Sequence, residues 1–311
     1  MSNKLHISTS PHIRTSRTTS GVMLDVVIAL MPATIAGIIL FGLRALAVIA
    51  TCVLTCVISE ALFNLITKKQ QTISDFSAVV TGLLIALNLS DNCPLWQAAI
   101  GSFFAIIVVK CLFGGLGSNL VNPAITARVF MLISFGTMAR ASFPVGVDTL
   151  SGATPLAELA QSGVTSPSLL DLFLGKHGGA IGETCALALM IGLLYLLVRK
   201  VITWHIPISF IGTVYLLSLC YEGFDPIAAL MWILSGGLFI GAIFMATDYV
   251  TSPSTSVGKL VFGIGCGVLT VIIRFWGTYP EGVSFAILFM NILTPYIDRL
   301  TPRKIFGGKA V

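Results

Sequence analysis

Residues 22–42 read VMLDVVIALMPATIAGIILFG, an apolar run in which Asp25 is the one charged side chain. A helix needs roughly 20 apolar residues to cross the hydrocarbon core of a bilayer. This run therefore predicts a membrane-spanning helix near the start of the chain. A second apolar run follows at about 45–66 after a short connection, so the chain is expected to cross back at once.

The rest of the chain has the same character, since 56% of its 311 residues are hydrophobic and only 10% are charged. Soluble globular domains carry about 25% charged residues. We therefore predict an all-α polytopic membrane protein in contact with lipid. The net charge of +5 is spread over the ends and short loops, without a basic patch interleaved with aromatics, so no nucleic-acid partner is expected.

Ten membrane-spanning helices are predicted from the apolar runs. Three of them, the third, fifth and seventh, are marginal by length. The ten spans are 22–42, 45–66, 74–90, 95–113, 122–139, 179–198, 205–221, 227–247, 257–275 and 282–298, all approximate.

Lysine and arginine residues are unevenly distributed over the predicted connections, and such residues favour the cytoplasmic side of membrane proteins. An inside N-terminus places on that side Lys4, Arg14, Arg17, Lys68, Lys69, Arg199, Lys200, Lys259, Arg299, Arg303, Lys304 and Lys309. Only Arg44, Arg140, Lys176 and Arg274 then fall outside. We therefore expect both termini to be cytoplasmic and the central loop to be extracytoplasmic.

Two five-helix units are expected to be inverted relative to each other in the membrane, because five is an odd number of crossings. Each half contains an apolar helix that ends in a polar, proline-bearing break, TGLLIALNLSDNCP at 81–94 and GAIFMATDYVTSP at 241–253. The alternative is that any two glycine-rich membrane helices resemble each other. The predicted organisation is a cytoplasmic segment 1–21, a first repeat 22–139, an outer loop 140–178, a second repeat 179–298 and a cytoplasmic tail 299–311.

The outer loop carries DTLSGATPL at residues 148–156, a turn of small residues that presents the hydroxyl of Thr154. Gly152, between Ser151 and Ala153, allows a large planar or phosphorylated group to approach, and free amides in such a turn can hold phosphate oxygens. Asp148 is suited to position a cation for transfer of a phosphate ester to the hydroxyl. From the residues alone, a surface turn before a short helix at 155–162 is the simpler interpretation.

Several motifs, in order along nearly the whole chain, resemble one family of membrane redox subunits. They are SPHIR at 10–14, VVIALMP at 26–32, FGGLGSNLVNPA at 113–124 and DTLSGAT at 148–154. The chain is similar to the D subunits of Rnf complexes, which are related to the B subunits of the sodium-pumping NADH:quinone oxidoreductase. The short N-terminal lead favours the Rnf group.

This resemblance implies that a flavin transferase links FMN through its phosphate to Thr154, within a site that includes Asp148, Ser151, Gly152 and Ala153. It also implies electron transfer between ferredoxin and NAD, coupled to sodium or proton movement across the cytoplasmic membrane of a prokaryote. The implied partners are the other membrane, iron–sulfur and flavin subunits of the complex. A second, non-covalent flavin such as riboflavin is left open.

Other contacts with a cofactor or ion are weaker predictions. The stretch that contains Gly114, Gly115, Asn119 and Asn122 combines a free backbone with amide ligands beside a helix start. A reversal that merely packs closely is the alternative. Arg140 and Arg274 lie on the predicted outer face, where either a bond to the flavin phosphate or an ordinary interfacial anchor is expected.

Charged residues within or beside the spans are interpreted as snorkelling towards the cytoplasmic interface. They are Asp25, Glu60, Lys110, Arg128, Asp248 and Asp298. The seven cysteines are interpreted as core filler, although Cys52 and Cys56 are one helical turn apart, and the histidines lack ligand spacing, so no metal site is predicted.

No dinucleotide-binding or phosphate-binding glycine loop is present in the sequence, so the chain is not expected to be catalytic alone. The leading hypothesis is a flavoprotein electron carrier within a larger membrane complex. A solute transporter or channel is the competing class, because an inverted repeat suffices for it. An inert scaffold protein would differ from the carrier only by the absence of flavin.

Overall fold

The computed structural model of the chain describes residues 17–135, 142–144, 154–162, 165, 167–277 and 281–302. Every element within these ranges is a helix. An isolated antiparallel bridge between Ser142 and Gly179 is the one β contact there. The prediction of an all-α, predominantly apolar chain is confirmed.

The first half begins with two long helices and continues with three shorter ones. They are α1 (Thr19–Phe41), α2 (Leu43–Ile66), α3 (Ser77–Leu87), α4 (Leu95–Phe104, continued by a π-helical segment Ala105–Cys111) and α5 (Pro123–Ser134). The side chain of Thr18 caps α1 by accepting from the Gly21 amide. Asn122 caps α5 in the same way and Pro123 occupies its first position, where a missing N–H costs nothing.

The connecting segment contains α6 (Pro155–Ser162) and α7 (Leu169–Leu174). The second half comprises α8 (Ala186–Val198), α9 (His205–Tyr221), α10 (Pro226–Leu234), α11 (Leu238–Ile240, continued by a π-helical segment Gly241–Met245), α12 (Ser256–Trp276) and α13 (Val283–Leu300). Between α10 and α11 the axis bends by 68°. We call the bend at 235–237 the α10–α11 break.

The prediction of ten full spans is only partly matched by these helices. Four helices, α1, α2, α12 and α13, are long and apolar enough to cross a membrane, and α10 with α11 makes a fifth if the bent pair is one span. The remaining apolar helices have 10–17 residues. At 1.5 Å per residue the shortest of them fall well below the ~30 Å of a hydrocarbon core. The expected third span is shorter because a separate 3₁₀ turn, Ile73–Asp75, precedes α3 and residues 88–90 after it are not helical. Residues 136–139 of the expected fifth span lie outside the described residues.

Helix α1 runs antiparallel to α8, the first helix of the second half. Asp25, near the start of α1, accepts from Arg199 Nε at 3.2 Å and from the Tyr195 hydroxyl at 2.9 Å, at the end of α8. Arg17, just before α1, donates to the carbonyls of Arg199 and Lys200 at 3.0 and 3.1 Å. The start of one helix therefore lies against the end of the other.

The two halves also pack in a matching order. In the first half α2 lies against α3 and α4, and in the second half α9 lies against α10 and α12. The last helices of the halves, α5 and α13, contact each other. Small residues permit close approach, since a Cβ at Gly192 of α8 would stand 2.4 Å from the Ala29 carbonyl oxygen of α1.

Five of the seven cysteines, Cys52, Cys56, Cys93, Cys111 and Cys266, are buried, which agrees with the interpretation of core filler. Cys185 is half-buried. The interpretation is wrong for Cys220, which is exposed on α9.

We predict that Gly82→Ala destabilises the chain by about 1–3 kcal/mol, the usual result of adding a carbon to a filled contact. A Cβ at Gly82 would lie 2.7 Å from the Val53 Cα, so α3 would have to move away from α2. The measurement is the thermal unfolding of the purified chain in detergent. Gly212→Ala is the control, because nothing lies within 4 Å of the added carbon in α9. Equal melting of both variants would contradict the close α2–α3 contact.

Candidate functional site

Thr154 stands at the N-terminus of α6. Its Oγ1 accepts a hydrogen bond from the Ala157 amide at 3.2 Å, and its carbonyl accepts from the Glu158 amide at 2.9 Å. It is thus the N-cap residue of the helix, and Pro155 at the first position is already in a helical φ. The hydroxyl lies where the unpaired first-turn amides of a helix favour a negatively charged group.

The helix α6 is docked on the second half through its apolar side. Leu156, Leu159 and Trp232 of α10 form a buried cluster, against which Phe275 of α12 packs. The rings of Trp232 and Phe275 meet edge to face with centroids 4.6 Å apart. The position of Thr154 is therefore set by α10 and α12 and not by the loop alone.

The α10–α11 break provides the surface that receives Leu156. Gly236 has a φ of +73°, which glycine adopts without strain. A Cβ added there would lie 2.9 Å from Leu156 Cδ2. Because a side chain at this position would push α6 away, the glycine both permits the bend and leaves room for the helix.

Arg274 holds the same break from inside the protein. It is 3% exposed, and it donates to the Trp232 carbonyl from Nη1 at 2.6 Å and to the Ser235 carbonyl from Nη2 at 3.2 Å. The expectation that Arg274 binds a flavin phosphate or anchors the interface is therefore wrong. Its two terminal nitrogens serve the carbonyls that α10 leaves open at its end.

The other residues predicted around Thr154, namely Arg140, Asp148, Ser151, Gly152 and Ala153, lie outside the described residues.

Asn119 and Asn122 line a cavity of about 90 Å³ between the two halves, which opens to the surroundings. Asn122 Nδ2 donates to the Met245 carbonyl at 3.1 Å, where the π-helical continuation of α11 ends. Asp248 of the same second-half break lines the cavity as well. The polar segment before α5 and the polar break after α11 thus meet at this cavity.

Gly114 and Gly115 are not part of this cavity. Their φ angles are +119° and +98°, and they line a separate opening together with Glu60 and Thr72. The four residues predicted together as cofactor or ion contacts are therefore separated in the structure. The two asparagines lie between the halves, and the two glycines lie after the end of α4.

The sequence profile of the NQR2, RnfD, RnfE family matches residues 6–307 of the chain. The chain belongs to this family. The D subunit of the Na⁺-translocating ferredoxin:NAD⁺ oxidoreductase complex of Acetobacterium woodii is 48% identical over 308 residues, which cover 97% of this chain and 95% of the relative. The D subunit of the proton-translocating ferredoxin:NAD⁺ oxidoreductase complex of Clostridium ljungdahlii is 41% identical, with 99% and 97% covered.

A third relative, the D subunit of an ion-translocating oxidoreductase complex of Stutzerimonas stutzeri, is 39% identical, with 93% of this chain and 92% of the relative covered. The likeness to the NQR2, RnfD, RnfE family predicted from the motifs is confirmed. It extends over both halves and the segment that contains Thr154.

In this member of the NQR2, RnfD, RnfE family, Lys110 and Glu60 do not snorkel, which corrects the sequence interpretation. They are 2% and 3% exposed, and Lys110 Nζ lies 2.8 Å from Glu60 Oε2. Ser77 Oγ accepts from the same nitrogen at 2.6 Å. The two charges are 50 residues apart in the sequence, so their pairing was not visible there.

Arg128 is likewise buried and does not reach the cytoplasmic interface. It pairs with Glu183 and Glu281, which precede α8 and α13. The interpretation failed because α5 is short and the two glutamates lie in connections that approach its middle. By contrast, Asp25 pairs with Arg199 near the helix ends, and Asp298 accepts from the Ser254 amide at 3.0 Å.

We predict that Leu156→Ala loosens α6 from the second half, at a cost of about 2–5 kcal/mol for a truncated buried leucine. Leu156 is 1% exposed and fills the space beside Gly236. The measurement is the rate of proteolytic cleavage between α6 and α7 in detergent, which should rise. Leu170→Ala in α7 is the matched control, because Leu170 is 71% exposed and its loss should leave the rate unchanged.

Proposed function

We propose that this chain is the D-type subunit of an ion-translocating ferredoxin:NAD oxidoreductase complex and carries FMN linked through its phosphate to Thr154. It works in the cytoplasmic membrane of a prokaryote, together with membrane, iron–sulfur and flavin subunits, and is not catalytic alone. The observation that carries the proposal is the Thr154 hydroxyl at the N-terminus of a docked helix, in a chain similar over its length to the D subunits of such complexes.

The local structure suits a phosphoester at this hydroxyl. Negative charge near a helix N-terminus is stabilised by roughly 0.3–1 kcal/mol, and first-turn amides can donate to phosphate oxygens. Thr154 is half-buried, so its oxygen is not enclosed by packing. The flavin, once attached, supplies one- and two-electron chemistry. The residues of α6 hold it at the outer end of the second half.

Within the sequence around Thr154, Gly152 would leave room for the incoming group, and Asp148 would be read by the flavin transferase during attachment. Ser151 and Ala153 keep the turn small. Arg140 remains a candidate partner of the phosphate, since a guanidinium binds phosphate oxygens with two parallel hydrogen bonds.

A second, non-covalent flavin such as riboflavin is proposed for the cavity between the halves. Its apolar walls from α1, α3 and α8 accompany a few polar groups, as in small-molecule sites, although a cavity of about 90 Å³ must widen to admit a flavin. Asn119 and Asn122 present amides there, which suit the polar edge of a flavin ring.

The proposed arrangement in the membrane is ten crossings as two inverted five-helix repeats with both termini inside and the flavin loop outside. Supporting this, α1 and α8 are antiparallel and the halves pack in matching order. The short helices would then complete their crossings with non-helical backbone that is buried in protein, where it is tolerated.

A solute transporter or channel is the alternative, and the cavity between the halves favours it. That class has no use for a flavin on an outer loop, so covalent flavin discriminates between the two.

We predict that Thr154→Ala abolishes the covalent flavin, because it removes the oxygen that would accept the phosphate. The wild-type band should fluoresce after denaturing electrophoresis in cells that possess the transferase, and the variant band should not. Intact mass should differ by one phosphoester-linked FMN beyond the substitution. Flavin released by denaturation, which would come from the cavity, should persist in the variant.

Thr165→Ala is the matched control in the same loop and should keep its fluorescence. Thr154→Ser retains a hydroxyl and is expected to keep part of the label. An alanine variant that fluoresces as strongly as the wild type would refute the attachment site. A wild type without flavin would leave the transporter alternative in its place.

We predict that a cysteine introduced at Ser166 reacts with an impermeant thiol reagent in intact cells, because the distribution of lysine and arginine places residues 140–178 outside. The measurement compares labelling in intact and broken cells after Cys220, which is exposed, has been replaced. Labelling only in broken cells would contradict the proposed orientation.

A further inference from the structure

The cavity between the halves is smaller than the flavin proposed for it. It holds about 90 Å³, whereas sites for small organic molecules enclose roughly 300–1,000 Å³. Its walls come from both halves, with Val22 and Val26 of α1 on one side and Leu196 of α8 and Val201 on the other. A ligand of flavin size can therefore enter only when the walls of the two halves move apart.

Two buried contacts between the halves resist such a movement. Arg128 of α5 pairs with Glu183, which precedes α8, and the side chains are 9% and 3% exposed. Where α1 crosses α8, a Cβ at Gly192 would lie 2.4 Å from the Ala29 carbonyl oxygen, so the two backbones are in direct contact. Separating a buried ion pair leaves uncompensated charges and is strongly unfavourable. The halves are therefore firmly joined at these two places.

The contacts between the start of α1 and the end of α8 are of a different kind. Asp25 pairs with Arg199 Nε at 3.2 Å, and the Arg199 side chain is 57% exposed. The Tyr195 hydroxyl donates to Asp25 at 2.9 Å, and the exposed Arg17 donates to the Arg199 carbonyl at 3.0 Å. We call Arg17, Asp25, Tyr195 and Arg199 the α1–α8 clasp. Because water competes for both of its charges, an exposed ion pair contributes little and is readily broken.

The α1–α8 clasp borders the cavity directly. Asp25 lies within one turn of Val22 and Val26, and both valines line the cavity. On the other side, Tyr195 precedes Leu196, which belongs to the opposite wall. The clasp thus ties one wall of the cavity to the other at the end where their connection is weakest.

We propose that the α1–α8 clasp closes a ligand entrance to the cavity between the halves. When the clasp breaks, α1 and α8 separate at this end while the buried contacts at Ala29 and Arg128 stay in place, and a flat ligand can pass. The structure shows the closed state, and a bound ligand favours the wider one. The inference rests on the proposed function for the identity of the ligand, a non-covalent flavin, and on the contacts of α1 and α8 for the entrance.

The first test measures the opening of the cavity in the absence of flavin. Thr81→Cys places a thiol on the cavity wall, where Thr81 is 8% exposed, in a chain whose exposed Cys220 is replaced by serine. The rate of its reaction with pyrene maleimide, whose flat ring system is about as large as that of a flavin, is measured in detergent. Asp25→Asn should raise this rate about two- to fivefold, the usual contribution of an exposed ion pair. The chain that lacks the introduced cysteine supplies the background rate.

Asp298→Asn is the matched control for this test. It removes the same charge near the end of α13, where Asp298 accepts from the Ser254 amide within the second half. Its reaction rate should equal that of the parent chain. If Asp25→Asn and Asp298→Asn react equally fast, the clasp does not govern the opening and the proposal is overturned.

The second test follows the ligand itself in the Thr154→Ala chain, which keeps only exchangeable flavin. The exchange of riboflavin, read by its fluorescence, should be faster in Asp25→Asn. Asp25→Cys combined with Arg199→Cys, linked by a short bifunctional thiol reagent that a reductant cleaves, should stop the exchange, and the reductant should restore it. Exchange that continues in the linked chain would refute the entrance at this place.

Failure of the proposed function would look different. A chain that takes up no riboflavin refutes the second flavin, while the reaction rate of Thr81→Cys still decides whether the clasp controls the cavity. The covalent flavin on Thr154 is read separately by the fluorescence of the denatured wild-type band.

Discussion

The short helices of this chain end within an apolar core because buried side chains bind the backbone groups left open at their ends. Apolar surroundings offer no compensating hydrogen bonds, so each unpaired amide or carbonyl there would cost several kcal/mol. Asn122 supplies an acceptor to the first amides of α5. Arg274 supplies two donors to the end of α10. The helix breaks, the cavity between the halves and the surface on which α6 packs all depend on these side-chain hydrogen bonds to open backbone groups.

The α10–α11 break, where Arg274 binds the open carbonyls, packs against two different parts of the structure. On its outer side Gly236 receives Leu156 of the helix that begins at Thr154, and on its inner side Gly237 lies against Glu183 and Arg128. Residues 235–237 therefore lie between α6 on one side and the ion pair of Arg128 with Glu183 on the other. A displacement of either wall would be felt at the other, since packed interiors transmit strain.

Much of this organisation could be predicted from local patterns, because helices and caps are encoded by neighbouring residues. The short helix expected at 155–162 is present as α6, with threonine and proline at its start. The ion pairs were missed because their partners are distant in sequence, as with Lys110 and Glu60. Arg274 was misassigned for a related reason, since its acceptors are backbone carbonyls that no side-chain pattern reveals.

The antiparallel pairing of α1 with α8 has a consequence for biosynthesis. Asp25 and Arg199 are 174 residues apart, which at roughly 5–20 residues per second is a delay of about 10–35 s. Throughout that interval Ala29, against which Gly192 later packs, has no native neighbour from α8. Until the second half has been translated, the surface of α1 that contacts α8 must therefore be covered by lipid or by the insertion machinery.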